Sequence, residues 1–199
     1  MEFTVTNIDF STLSSQYPKS YSALDFEQIM PLYDYHSWDG GKNPRIDKIT
    51  NTLINLKKNR SPAISFFSKV VRSQLLSLIG SQPKIFCVVP SHSKDDVSEG
   101  MMKVMSNIRE DFGFANVSNL LNRTLTVPKA ATGGDRSVQH HLDSIEILNR
   151  DYVQGKAVFL FDDISTTGNS MNACKQLLLE AGAQSVVMIS FGQTWFELG

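Results

Sequence analysis

Three short apolar runs limit what this chain can fold into more than any other feature. They are residues 84–90 (KIFCVVP), 157–162 (AVFLFD) and 185–191 (SVVMISF). Each has strand length, is rich in β-branched or aromatic residues, and is apolar with little alternation. A strand of that composition needs cover on both faces, which is the situation of a parallel sheet between helical layers. The intervening segments supply the helices. Residues 97–112 predict one with Gly113 beyond it, and residues 169–181 predict another ended by Gly182. Residues 117–121 suit a further strand, and Ile145 with Ile147 a brief one. Residues 149–156 read as a turn. The result is an α/β pattern.

The N-terminal part is patterned differently. Phe3, Val5, Ile8 and Phe10 alternate weakly, as an edge strand would, and the serine-rich residues 11–22 read as loop. Asn43-Pro44 and Ser61-Pro62 each place a capping residue before a first-turn proline. Helical stripes follow both: Ile46, Ile49, Leu53 and Leu56, then Ile64, Phe67, Val71, Leu75 and Leu78, with Gly80 as terminator. These stripes face a core and carry no functional signal. Residues 1–80 are expected to form a hood or helical flank on a core of residues 81–199, integrated as one domain.

Composition excludes several classes. A hydrophobic fraction of 41% and a charged fraction of 20% over 199 residues are ordinary for a globular domain. The formal net charge of -1 asks for neither nucleic acid nor anionic lipid. Cys87 and Cys174 lack metal or disulfide spacing and read as buried apolar residues in a reducing compartment. No apolar run approaches a membrane span, so the expected location is the cytosol.

The chemistry is concentrated in residues 158–170, VFLFDDISTTGNS. A buried strand ends at two adjacent carboxylates, Asp162 and Asp163. A turn of Ser165, Thr166, Thr167 and Gly168 leads into a helix near Asn169 and Ser170. Open parallel sheets bind ligands beyond the carboxyl ends of their strands. A turn entering a helix offers unpaired N–H groups and the positive end of the helix dipole to an anion. Gly168 lets those groups curl into a nest, and the hydroxyls add donors. The carboxylates would repel a phosphate but suit the paired hydroxyls of a ribose, and they can help hold a hydrated Mg²⁺. One loop could thus bind both ends of a ribose 5-phosphate. The same residue types also occur in loops that only cap a helix. A phosphatase or phosphoacceptor site is a further alternative, although those acids usually follow a domain's first strand.

This segment resembles the thirteen-residue 5-phosphoribosyl-1-pyrophosphate (PRPP) motif of type I phosphoribosyltransferases: four apolar residues, two acids, an apolar and a variable residue, then Thr-Thr-Gly and a hydroxyl two places on. The resemblance implies a type I phosphoribosyltransferase-like α/β fold, a parallel sheet flanked by helices. It implies transfer of the phosphoribosyl group with loss of pyrophosphate, with Mg²⁺ as cofactor. Asp162 and Asp163 would be the catalytic and metal-holding acids. Those two with Ser165, Thr166, Thr167, Gly168, Asn169 and Ser170 would bind PRPP. Ser91, His92, Ser93 and Lys94, after an earlier strand, hold the place of a pyrophosphate loop, and Arg123 beside a strand end would assist. Residues 124–141, polar and containing Pro128, Lys129, Gly133, Gly134 and Arg136, read as a mobile loop, in which His140-His141 has no partner at metal spacing.

Within the superfamily the chain is similar to the competence-protein-F-like branch. Val89-Pro90, Leu120-Leu121-Asn122-Arg123-Thr124, the Tyr33–Tyr35 region and Leu53, Leu56 and Lys57 carry that similarity. The branch's N-terminal zinc-binding cysteines are absent here, and Ser91 directly follows Pro90. The resemblance implies PRPP or a nucleoside 5′-phosphate as small-molecule partner, a homodimer, and a protein partner in a DNA-related system. It also leaves room for a non-catalytic sensor or adaptor in DNA uptake, DNA processing or antiphage defence. Trp195 and Phe196 could stack on a base or simply pack at the tail.

Overall fold

The computed structural model describes residues 19–37, 42–43, 45–79, 84–113, 116–127 and 137–195. The expected edge strand at residues 3–10 lies outside these, as do Pro44, Gly80, Pro128, Lys129, Gly133, Gly134, Arg136 and Phe196.

Five strands form one parallel sheet: β1 (Ile29–Tyr35), β2 (Lys84–Val88), β3 (Asn116–Ser118), β6 (Ala157–Ser165) and β7 (Ser185–Thr194), in spatial order β1-β7-β6-β2-β3. All five residues of β2 are buried, and so are Val158 to Phe161 in β6 and Val186 to Phe191 in β7. The unbroken apolar runs are therefore strands covered on both faces, as a parallel sheet requires. Alternate residues enter two separate cores. Phe86, Val88, Phe159, Phe161, Val187 and Ile189 meet α1 (Lys48–Lys57), α2 (Ser61–Ile79) and α3 (Glu99–Ile108). Ile85, Cys87, Val158, Leu160, Val186 and Met188 meet Met171, Cys174 and Leu178 of α6 (Asn169–Glu180). The expectation of an α/β parallel sheet flanked by helices is what the structure has.

Several expectations need correction. Residues 29–35 are a strand that the sequence reading passed over; β1 joins the edge of the main sheet beside β7. Helix α1 starts at Lys48, later than Asn43-Pro44 suggested. Asp47 caps it by accepting the Thr50 N–H at 2.7 Å. Asn43 closes its own turn, its side chain accepting the Arg45 N–H at 2.9 Å. The strand expected at residues 117–121 is two strands. Residues 116–118 end the main sheet, while β4 (Leu121–Arg123) pairs antiparallel with β5 (Ile145–Ile147) in a second, two-stranded sheet. The segment read as loop ends in a short helix, α4 (Val138–Ser144), capped by Ser137. The turn before β6 contains one too, α5 (Arg150–Val153), capped by Asn149.

The topology sets where a ligand can enter. From β2, α3 carries the chain outward to β3 over one face. From β6, the neighbour of β2, α6 carries it outward to β7 over the other face. The loops after β2 and β6 therefore part in opposite directions and leave a crevice at the carboxyl ends of the two strands. No helix among the described residues is long and apolar enough to cross a membrane.

Candidate functional site

A cleft of about 1060 Å³ opens at that switch point. Asp162, Asp163, Thr166 and Ser170 line it from β6 and the start of α6. Ser91, His92 and Asp96 line it from the loop after β2, and Arg123 and His141 from behind that loop. Tyr35, Lys57, Lys58, Asn59 and Thr194, which belong to no site motif in the sequence, also line it.

Asp162 and Asp163 are consecutive in a strand, so they point to opposite faces. Asp163 reaches α1, where its carboxylate lies 3.3 Å from the Lys57 ammonium. Burial pulls the Lys57 ammonium down, but the charges of Asp163 and then Asp162 outweigh it and hold its pKa above the ordinary lysine value. Asp162 accepts the Asp163 N–H at 2.9 Å and lies near the α6 side, where its charge is felt by the Cys174 thiol. Both acids are half-buried, and both face the cleft.

The turn after them is shaped by Gly168. Its φ of +80° is left-handed, and it occupies the N-cap of α6 with no side chain to satisfy the helix's first N–H groups. The dihedral calls for glycine, while an added Cβ would meet only the end of the Ile29 side chain, at 2.6 Å. Ser165 is buried beneath this turn, and its hydroxyl has no hydrogen-bond partner. Thr166 shares a hydrogen bond of 3.1 Å with Thr194 across to β7. Thr167 is exposed. Thr167, Gly168, Asn169 and Ser165 shape the turn without lining the void itself.

The loop after β2 is tightly tied. The Ser91 N–H donates to the Asp96 carbonyl at 3.0 Å, and the Ser93 N–H to the Ser91 hydroxyl at 3.2 Å. The Lys94 N–H donates to Thr126 at 3.0 Å, and the Asp95 N–H to the Arg123 carbonyl at 2.9 Å. These amides are committed inside the protein. Asp95 holds a φ of +55°, with its carboxylate accepting from Asn122 at 3.0 Å. Lys94 is exposed and, like Ser93, outside the cleft lining.

Arg123 sits under this loop and is almost wholly buried. Its Nε donates to the Ser91 carbonyl at 2.6 Å and its Nη1 to the Ser144 hydroxyl at 2.8 Å, with His141 Nδ1 3.4 Å away. It braces the floor of the cleft from β4, and His141 packs beside it. Trp195 is 37% exposed, with the Arg45 guanidinium 4.3 Å from its ring centre and the His36 ring 5.8 Å away.

The signal for Lys57 was present in the sequence, as the first of the cations that end a stripe of core leucines. Nothing local indicated that the helix would end against β6. Cys87 and Cys174 are both buried and unpaired, as expected.

No known family model matches the chain. Among curated proteins it is similar to an adenine phosphoribosyltransferase of Treponema denticola, 30% identical over 67 residues, which make up 34% of this chain and 35% of that protein. The match thus spans about a third of the curated relative's length. Partly similar solved structures include a hypoxanthine phosphoribosyltransferase from Staphylococcus aureus, with a TM-score of 0.44, 14% identity, and 69% of this chain and 64% of that one covered. A phosphoribosylpyrophosphate synthetase from Mycobacterium smegmatis overlaps with a TM-score of 0.41 and 16% identity, over 68% of this chain and 34% of that one.

Proposed function

We propose that the cleft binds PRPP with Mg²⁺ and that the protein is a phosphoribosyltransferase. One observation carries this reading: two carboxylates lie near the end of β6 at the switch point, one turn before a helix whose N-terminus has no side-chain cap. The uncapped N–H groups and the Thr166 and Ser170 hydroxyls suit a 5′-phosphate. The carboxylates suit the ribose hydroxyls, and their charge favours the positive character that develops at C1′ as its bond to pyrophosphate breaks. Pyrophosphate leaves with the bonding electrons, and the acceptor's nucleophile forms the new bond to C1′. The local likeness to a phosphoribosyltransferase over 67 residues agrees with this reading.

Asp162 and Asp163 would hold the Mg²⁺, which when bound neutralises charge on the leaving diphosphate. No group of three or more potential metal-ligating acids, histidines or cysteines gathers among the described residues. Two carboxylates with the remaining positions left to water and ligand oxygens is a donor set that fits Mg²⁺.

The test is calorimetric titration of the intact protein with PRPP and Mg²⁺, followed by a search for pyrophosphate release with purine, pyrimidine and nicotinate-like acceptors. We expect binding in the micromolar range and Mg²⁺-dependent release with at least one acceptor. No binding well above micromolar PRPP would exclude the reading. Asp163→Asn should weaken PRPP binding by about tenfold or more while circular dichroism stays unchanged, since a charge-assisted hydrogen bond is worth about 1.5–3 kcal/mol.

A second reading, a PRPP or nucleotide sensor or adaptor without turnover, is favoured by the loop after β2. Its amides at Ser91, Ser93, Lys94 and Asp95 already have partners, so the pyrophosphate half is less ready than the phosphate half. PRPP binding with no release across the acceptor panel would support this second reading.

A further inference from the structure

The Lys57–Asp163 pair joins the two halves of the chain inside the cleft. Lys57 is the last residue of α1, and Asp163 lies near the end of β6. Their charged atoms are 3.3 Å apart, the Asp163 side chain is 15% exposed and that of Lys57 49% exposed. Helix α1 reaches this position because Leu53 and Leu56 are wholly buried in the core that β6 and β7 share, which brings its C-terminal turn to the strand ends. Asn59, with a φ of +56°, ends the helix there, its N–H donating to the Leu56 carbonyl at 2.8 Å. The ammonium is also favoured by the negative end of the helix.

We propose that Lys57 is a built-in counter-ion of the carboxylate pair, occupying the Asp163 oxygen that a divalent cation would take. A cation entering the cleft must displace the ammonium, whose side chain is half-exposed. Helix α1 then sets how weakly the empty cleft holds a divalent cation. Ligand oxygens that complete the cation's shell tip the exchange. The consequence is ordering: ligand and cation enter together, and the cation alone binds poorly. This inference rests on reading the cleft as a cation-assisted ribose-phosphate site, but its effect on the cation can be measured with no ligand present.

The measurement is Mn²⁺ binding at low ionic strength, followed by electron paramagnetic resonance of the free ion, in the parent, Lys57→Gln, Lys58→Gln and Lys57→Gln/Asp163→Asn proteins. Lys58 also lines the cleft, but its ammonium is not the one paired with Asp163. Lys57→Gln should bind Mn²⁺ about two- to fivefold more tightly, the range set by a partly exposed ion pair. Lys58→Gln should gain clearly less, and the double variant should lose the gain. Equal gains at positions 57 and 58 would reduce the effect to bulk charge and overturn the proposal. No gain at position 57, no Mn²⁺ binding by any of the proteins, or a gain that survives loss of Asp163 would overturn it as well. Parallel PRPP titrations separate the two claims. If the Mn²⁺ shift appears and PRPP does not bind, the proposed function falls while the counter-ion role stands.

Discussion

Single residues in this protein face the cleft or hold it in shape. Arg123 does both, lining the cleft and bracing it. As a buried guanidinium holding a carbonyl and a hydroxyl at 2.6 and 2.8 Å, it is a brace that cannot be shortened without loss. Arg123→Met leaves the Ser91 carbonyl without this charged donor, and urea unfolding should show a loss of about 2–4 kcal/mol. Gly168 holds the turn in shape from outside the lining itself. Gly168→Ala places a Cβ at a left-handed dihedral and against Ile29, and we expect a loss of about 1–3 kcal/mol by the same assay. The helix N-terminus would shift with it, so PRPP affinity should fall in parallel. Ligand binding that stays at the parent level would separate the turn from the phosphate.

At the scale of elements, the decisive contact is between α1 and α3. Gly100 lies in the first turn of α3 against the backbone carbonyl of Leu56, and any Cβ there would overlap that oxygen. The two helices are in backbone contact, which glycine alone permits. Gly100→Ala must push them apart, at a cost of about 1–3 kcal/mol from overpacking. Because Lys57 is the next residue along α1, that displacement should also disturb its pairing with Asp163. Chemical denaturation measures the first effect, and Mn²⁺ titration the second. The small β4–β5 sheet with α4 plays the corresponding part on the other side. It holds Arg123, and in the segment that follows β4 the Val127 N–H donates to the His92 carbonyl at 2.8 Å and ties down the loop after β2.

For the whole molecule, the two faces of the sheet bury two cores, and titratable groups sit inside or against them. Burial pushes the Cys87 thiol from 9.0 up to about 12 and the Tyr33 phenol from 10.0 up to about 12. Burial and then the charge of Asp34 do the same to Tyr21. In the unfolded chain these groups ionise at their lower, ordinary values. The stability carried by their neutral forms is therefore intact below about pH 9 and is lost as pH rises toward 12. Melting temperature should decline steadily across that window, and a flat profile would contradict the burial described. Cys87 and Cys174 should also resist alkylation at neutral pH until the chain unfolds globally, because the thiolate is the reactive form.

Much of this was legible in the residues alone. Runs such as AVFLFD are apolar at both odd and even positions, so they fit only strands covered on two faces. The order of acids, turn and helix in residues 158–170 is local chemistry that needs no neighbours to be read. Strand β1 was not legible, because Leu32-Tyr33-Asp34-Tyr35 gains its meaning from pairing with a partner more than 150 residues away. The bracing part played by Arg123 was equally hidden: its place beside a strand end suggests a residue assisting the pyrophosphate loop, and only three separate segments closing around it bury it. Lys57 shows the limit best. The leucine stripe before it determined a core-facing helix, and only the packing of that helix on β6 and β7 decided that its last residue would meet Asp163. Local pattern specifies which groups a segment can offer; long-range packing, which depends on shape summed over distant segments, decides which of them face one another.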